Sequence, residues 1–265
     1  MCKKLGFIDE IVDILDLLYF HGWDERNGGN LSYLLDEKET SEVSSLEVQK
    51  TIETTFNMHE IVGKYFVVTG TGKYFKNCKK DPTHNLGIIK IINDYSYGIV
   101  WGLIDSKPTS ELPTHLKCHI ERLKVDPKHK LVIHCHTTNI ICMSHILELN
   151  EDKWTEILWK MQTESIVVFP EGIGVLEWIL CGGDLIGDAT AKKMANYRAV
   201  VWAQHGLFAT GTSLDETFGL IETIEKAAEI YMKICDKKIV QSISNENLLE
   251  IAQAFHINFK HGIID

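Results

Sequence analysis

No Cys-x-x-Cys spacing occurs in this chain, although it carries seven cysteines, at positions 2, 78, 118, 135, 142, 181 and 235. Scattered and odd in number, they argue against a disulfide framework and for a reducing compartment. A basic stripe is also missing. Lys and Arg number 27 against 37 Asp and Glu, a formal net charge of −10, which argues against nucleic acid as a partner. The start of the chain lacks an unbroken apolar run. Asp9, Glu10, Asp13 and Asp16 interrupt Met1 to Gly22, which excludes a signal-peptide core or a membrane span there. Two nucleotide signatures are absent as well, the Gly-x-x-x-x-Gly-Lys phosphate loop and the dinucleotide fingerprint. The expectation is a cytoplasmic protein with no membrane and no nucleic-acid partner.

What is present suits one large domain. Of 265 residues, 45% are hydrophobic and 24% charged, enough for a sizeable core. No internal repeat, heptad run or low-complexity linker divides the chain, so residues 1–265 are read as a single domain. Apolar residues at Ile8, Ile11, Val12, Leu15 and Leu18 predict an amphipathic helix from Phe7 to His21. A strand is expected over Leu31 to Leu35. Asp36 to Thr55, polar and rich in Glu, Ser and Thr, reads as an irregular insertion. Tyr65 to Val68 reads as a strand, and Leu86 to Ile92 with Tyr97 to Ile104 as an antiparallel hairpin. A helix is predicted to about Leu123, with Thr109 or Ser110 as its cap and Glu111 in its first turn. Further helices are expected over Thr138 to Leu147 and Glu151 to Met161, then a strand over Ile166 to Phe169. Asp184 is read as the cap of a helix to about Tyr197, followed by a strand over Ala199 to Ala203. Ser213 and Glu216 form a capping-box pattern before a long helix to Cys235. Ser244 is expected to cap a last helix, Asn245 to Phe255.

Chemistry concentrates at strand ends. Leu131 to Ile133 is a short apolar run that leads into His134-Cys135-His136. On an extended strand, residues two apart share a face, so both imidazoles can reach one point while Cys135 faces away. Such a pair also arises by accident in cores and on surfaces; its place at a strand end before a helix is what singles it out. His205 stands at the end of another strand. Spacing alone does not tie it to the other two. If it joins them, three neutral nitrogens with an open fourth position make the pattern of a catalytic zinc. Two glycine-rich turns, Asn27-Gly28-Gly29-Asn30 and Thr69-Gly70-Thr71-Gly72-Lys73, let a backbone come close to a ligand with its N–H groups exposed, or are plain tight turns. Glu111 near a helix start could act as a carboxylate, or could simply favour the helix dipole.

Taken together, Gly22 to Leu31, Thr69 to Lys73, Thr109-Ser110-Glu111-Leu112-Pro113, His134-Cys135-His136 and His205-Gly206 occur in the order seen in class II sugar-phosphate aldolases. The chain resembles that family along nearly its whole length. The Gly22 to Asn30 run and the Phe66 to Phe75 segment most resemble the members that act on L-rhamnulose 1-phosphate. The resemblance implies an α/β fold with a central, largely antiparallel sheet flanked by helices on both faces. It also implies a cytoplasmic homotetramer with one Zn2+ per subunit. The implied reaction is retro-aldol cleavage of L-rhamnulose 1-phosphate to dihydroxyacetone phosphate and L-lactaldehyde, a step of rhamnose degradation, through an enediolate whose charge zinc stabilises. By position, His134, His136 and His205 correspond to the zinc ligands and Glu111 to the carboxylate that moves a proton. Glu164 corresponds to a residue that serves the aldehyde end in a neighbouring subunit. Asn27, Gly29, Asn30, Thr71, Gly72, Thr109 and Ser110 correspond to phosphate and substrate holders. The segment from Asp36 to Met58 departs from the family pattern. An L-fuculose-1-phosphate aldolase or an L-ribulose-5-phosphate 4-epimerase shares the metal and phosphate residues. A scaffold without catalysis is disfavoured by the intact histidines and Glu111, and a structural zinc protein by the three-ligand arrangement.

Overall fold

The computed structural model describes residues 5–264, and these build around one nine-stranded sheet. In chain order the elements are α1 (Gly6–Phe20), β1 (Asn30–Leu34), α2 (Glu37–Val43), β2 (Lys50–Glu53) and β3 (Tyr65–Thr69). Two single-turn helices follow, α3 (Phe75–Cys78) and α4 (Pro82–Asn85), then the hairpin β4 (Leu86–Asn93) and β5 (Ser96–Gly102). Next come α5 (Leu112–Val125), β6 (Leu131–Cys135), α6 (Thr138–Ile146), α7 (Glu151–Trp159), α8 (Glu164–Val168) and β7 (Gly174–Leu176). The chain continues through α9 (Asp184–Met194), β8 (Ala199–Trp202), β9 (Gly206–Gly211), α10 (Leu214–Ile234) and α11 (Asn245–Ala254).

The sheet order is β2-β5-β4-β3-β1-β6-β9-β8-β7. Every neighbouring pair is antiparallel except β7 with β8 at one edge. β1, β3 and β6 are buried along their whole length, because helices cover both faces. On one face Leu31, Tyr33, Val67, Ile133, Cys135 and Leu207 pack with α1, α6, α7, α8 and α10. On the other, Phe66, Val68 and Ile89 meet Leu112 and Leu116 of α5, and Val132, Val200 and Phe208 meet Ile186 and Met194 of α9. Alternation along β6 sends Ile133 and Cys135 to one face and Val132 and His134 to the other. Among the described residues no helix is long and apolar enough to cross a membrane.

Five local expectations are corrected. The segment from Asp36 to Thr55 is not irregular. Asp36 and Glu39 form a reciprocal capping box that starts α2, and β2 adds an edge strand beside β5. Ile166 to Val168 belong to a helical turn, α8, with Phe169 as its C-cap, and not to a strand. A four-residue apolar run carries no period long enough to tell the two apart, and here Trp159 Nε1 donates to the Phe169 carbonyl and fixes the turn's end at 3.1 Å. Neither Thr109 nor Ser110 caps α5; Glu111 occupies the cap position itself, with φ −92° and ψ 6°. Asp184 is the first helical residue of α9, and Gly183 precedes it as the cap. Ser213 and Ser244 cap α10 and α11 as expected, but Glu216 does not close a box with Ser213, because its carboxylate accepts from Thr212 N–H at 2.7 Å.

Candidate metal centre and active site

The three central strands carry the site. Register pairs Asn30 of β1 with His134 of β6, and His134 with Phe208 of β9. Gly206 lets β9 close on this end: a Cβ there would lie 2.4 Å from the Cys135 carbonyl and 3.1 Å from the His134 ring. His205 projects from the turn just before β9. Gln204 holds that turn in a left-handed conformation, φ 57°, with its N–H donating to Ser144 Oγ over 2.8 Å. A strained non-glycine residue beside a functional side chain is a cost the surrounding bonds must offset.

One nitrogen of each of His134, His136 and His205 lies within 4.8 Å of the other two. His134 is buried, stacked on Phe208 at 4.4 Å and flanked by Trp202. Its Nδ1 donates to the Leu207 carbonyl at 3.2 Å, which leaves Nε2 as a lone pair 3.3 Å from His205 Nε2. His136 Nδ1 bonds Glu25 Oε1 at 2.8 Å, again leaving Nε2 free. Gly28 lies hard against this ring, since a Cβ there would meet His136 Cε1 and Nδ1 at 2.8 Å. Burial holds His134 well below the ordinary imidazole value, and burial with the neighbouring His136 lowers His205 to about 4. Two of the rings, His134 and His136, have the far nitrogen tied to an acceptor, which leaves the near nitrogen for a divalent metal.

Glu111 completes the group. Its Oε2 is 3.9 Å from His134 Nε2 and accepts from Asn30 Nδ2 at 2.9 Å. Burial raises its carboxyl pKa, opposed by the Asn30 bond and by His136. The exposed thiol of Cys181, in the loop between β7 and α9, also comes within 4.8 Å of Glu111 and His205 donor atoms. Behind the histidines, Glu225 of α10 accepts from the Asn139 and Ile140 N–H groups at 2.9 and 3.2 Å. That fixes the start of α6, two residues after His136.

Backbone bonds zip the second glycine turn to the segment just before α5. Thr109 N–H donates to the Thr69 carbonyl and Thr71 N–H to the Lys107 carbonyl, both at 2.9 Å. Thr109 Oγ1 in turn accepts from Glu111 N–H at 3.3 Å. Thr71 and Gly72 line a cleft of about 790 Å³ together with Lys50, Lys73 and Lys107, and none of the three histidines lines it. Gly29, with φ 53°, sits against the His134 carbonyl. Asn27 and Ser110 are exposed near these turns. Glu164 lines a different cleft, with His21, Trp23, Asn139, Glu222 and Lys226. Sequence reasoning did not single out Glu25, Ser32, His115 or Cys181. Only the first carried a signal, an acid inside the Gly22 to Asn30 run that turns back toward His136.

Comparison with known proteins identifies the family. The family model described as Class II Aldolase and Adducin N-terminal domain matches residues 9–232. A rhamnulose-1-phosphate aldolase of Listeria monocytogenes serotype 4b (strain F2365) is 47% identical over 262 residues, 97% of this chain and 96% of that protein. One of Klebsiella pneumoniae (strain 342) is 40% identical over 98% of this chain and 96% of its own length. Among solved structures, a sugar-phosphate aldolase from Thermotoga maritima superposes with a TM-score of 0.77 at 29% identity, over 88% of this chain and 97% of its own. The chain belongs to the class II aldolase family.

Proposed function

We propose that this chain cleaves L-rhamnulose 1-phosphate to dihydroxyacetone phosphate and L-lactaldehyde. The observation that carries the reading is the convergence of three imidazoles beside the buried carboxylate Glu111. The substrate follows the name of relatives that match nearly end to end. His134, His136 and His205 hold one Zn2+ per subunit. When bound, Zn2+ supplies Lewis acidity to the substrate carbonyl and the charge that builds beside it. Glu111 delivers a proton to the carbon left electron-rich when the carbon–carbon bond breaks, and takes it back in the reverse direction. Burial suits it to hold that proton. Asn30 occupies Oε2 and leaves Oε1 to carry the proton.

Asn27, Gly29, Thr71, Gly72, Thr109 and Ser110 hold the phosphate and sugar hydroxyls. Lys50, Lys73 and Lys107 make the cleft beside Thr71 favourable to an anion. Glu164 serves the aldehyde end of a neighbouring subunit's site; none of its own chain's three metal-site histidines lines the cleft it stands in. The working unit is then a homotetramer of single-domain subunits in the cytoplasm. The test is a substrate comparison with dihydroxyacetone phosphate detection. L-Rhamnulose 1-phosphate should be cleaved with the highest kcat/KM. Preference for L-fuculose 1-phosphate, or epimerisation of L-ribulose 5-phosphate without cleavage, would reassign the reaction.

A further inference from the structure

Glu111 is the end of a single file of hydrogen bonds along the seam between α5 and β1. Asn30 Nδ2 donates to Glu111 Oε2 at 2.9 Å, and Asn30 Oδ1 meets His115 Nε2. His115 Nδ1 is 2.7 Å from Ser32 Oγ. Ser32 Oγ is 2.8 Å from His119 Nε2, and His119 Nδ1 is 2.8 Å from His129 Nε2. All six side chains are buried. Two periodicities build the file. Asn30 and Ser32 lie two apart on β1 and share a face; Glu111, His115 and His119 lie four apart at the cap and along α5.

The file has a direction. The Asn30 amide offers its donor end to a carboxylate, so its oxygen must accept, which fixes His115 as the Nε2–H tautomer. Its Nδ1 then accepts from the Ser32 hydroxyl. Ser32 Oγ accepts from His119 Nε2–H, and His119 Nδ1 accepts from His129 Nε2–H. Each donor has one acceptor, and every bond points toward Glu111. Burial keeps the three rings in the neutral form this pattern requires.

We propose that His115, acting through Asn30, is a positioning residue that fixes the orientation of the Glu111 carboxylate for proton transfer. The proposal rests on the reading of Glu111 as the proton-moving group. The file is not a proton relay. A proton crossing it would have to pass the Asn30 amide as an imidic acid, and His129 at the far end is buried away from water. Its effect is geometric. With His115 gone, the Asn30 amide can turn over and present its oxygen to the carboxylate, which repels it.

The test uses the zinc-loaded enzyme, with kcat, KM, zinc content and thermal midpoint measured for each variant. His115→Leu removes both bonds of the ring. His115→Gln keeps a donor that reaches Asn30 Oδ1. Ser32→Ala breaks the file one step further back. We expect His115→Leu to lower kcat at least tenfold with KM within about threefold and zinc unchanged, for a misplaced catalytic group costs rate more than binding. His115→Gln should recover most of that loss, and Ser32→Ala should fall between. Unchanged kcat in His115→Leu and Ser32→Ala, with only the thermal midpoint lowered, overturns the proposal; so does a loss that tracks zinc content. Should His115→Leu fail to fold, Ser32→Ala and His115→Gln decide on the same readouts. Glu111→Gln run alongside separates the two levels. Normal turnover there removes the role of Glu111 itself, whereas loss there with normal His115 and Ser32 variants removes only the positioning role.

Discussion

Gly28→Ala is a one-carbon change that should loosen the metal. The new Cβ would lie 2.8 Å from both Cε1 and Nδ1 of His136 and 2.9 Å from the Glu25 carbonyl. An optimal contact between carbon atoms is at ~3.5–4.0 Å, so the ring must retreat by roughly 0.7 Å or more. Retreat lengthens the 2.8 Å bond from His136 Nδ1 to Glu25 Oε1, and that bond is what leaves Nε2 aimed at the other two histidines. The Gly28 backbone is not in the left-handed region, so space alone causes the strain. Loss of an outer partner of a metal-binding histidine typically lowers metal affinity by about 10–100-fold, or about 1.4–2.7 kcal/mol. Zinc affinity measured by competition with a chromophoric chelator should fall within that range in Gly28→Ala. Glu25→Gln, which keeps an acceptor on an exposed side chain, should fall less. Zinc affinity within twofold of the parent in a folded Gly28→Ala protein would refute the claim that Gly28 and Glu25 set the His136 ring.

Three further outcomes follow from the same geometry. Glu111→Gln preserves size and the acceptor for Asn30, so it should keep zinc and folding while cleavage drops by about 10²–10⁴-fold, the usual contribution of a positioned acid–base group; near-normal turnover refutes the role. Glu164→Ala should slow cleavage while leaving proton exchange at the dihydroxyacetone-phosphate carbon nearly intact, and equal losses in both would contradict its place at the aldehyde end. Burial lowers His115 and His129 to about 3, and His119 well below its ordinary value of 6.5. The unfolded chain therefore takes up protons below about pH 6.5 that the native state refuses, and stability must fall as pH drops from there toward 3. Each such histidine adds a slope of up to about 1.4 kcal/mol per pH unit. Urea midpoints should fall steeply between pH 7 and pH 5, and His129→Gln should flatten the fall; a parent midpoint flat across that range contradicts the assignment.

Much of this arrangement was legible in the residues. An apolar run ending in His134-Cys135-His136 predicts a buried strand with two imidazoles at its end, and β6 is that strand. Local spacing shows His205 only as a histidine where a strand stops; the family resemblance, not spacing, joins it to the other two. Its union with the other two depends on β9 folding back between β8 and β6, a non-local pairing that no local spacing encodes. Besides the caps of α5 and α9, local chemistry misled at two elements. Asp36 and Glu39 carry a capping box three residues apart, yet the polar composition around them suggested irregular chain. Ile166, Val167 and Val168 are β-branched, yet tertiary contacts with α10 and α11 make them a helical turn, as packing can override propensity. The histidine file is not legible in the sequence, because each member has a plain reading alone. His115 and His119 sit four apart on a helix, and Asn30 and Ser32 two apart on a strand. Their meaning appears only when α5 is laid across β1.

The central claim is that three histidines hold a zinc on which cleavage depends. The most direct measurement is cleavage of L-rhamnulose 1-phosphate, coupled to detection of dihydroxyacetone phosphate, before chelation, after chelation and after zinc is returned. The account predicts activity that chelation abolishes and zinc restores in the parent, and no restoration in His136→Ala at the same zinc concentration. Cleavage that persists once elemental analysis finds no metal would contradict it.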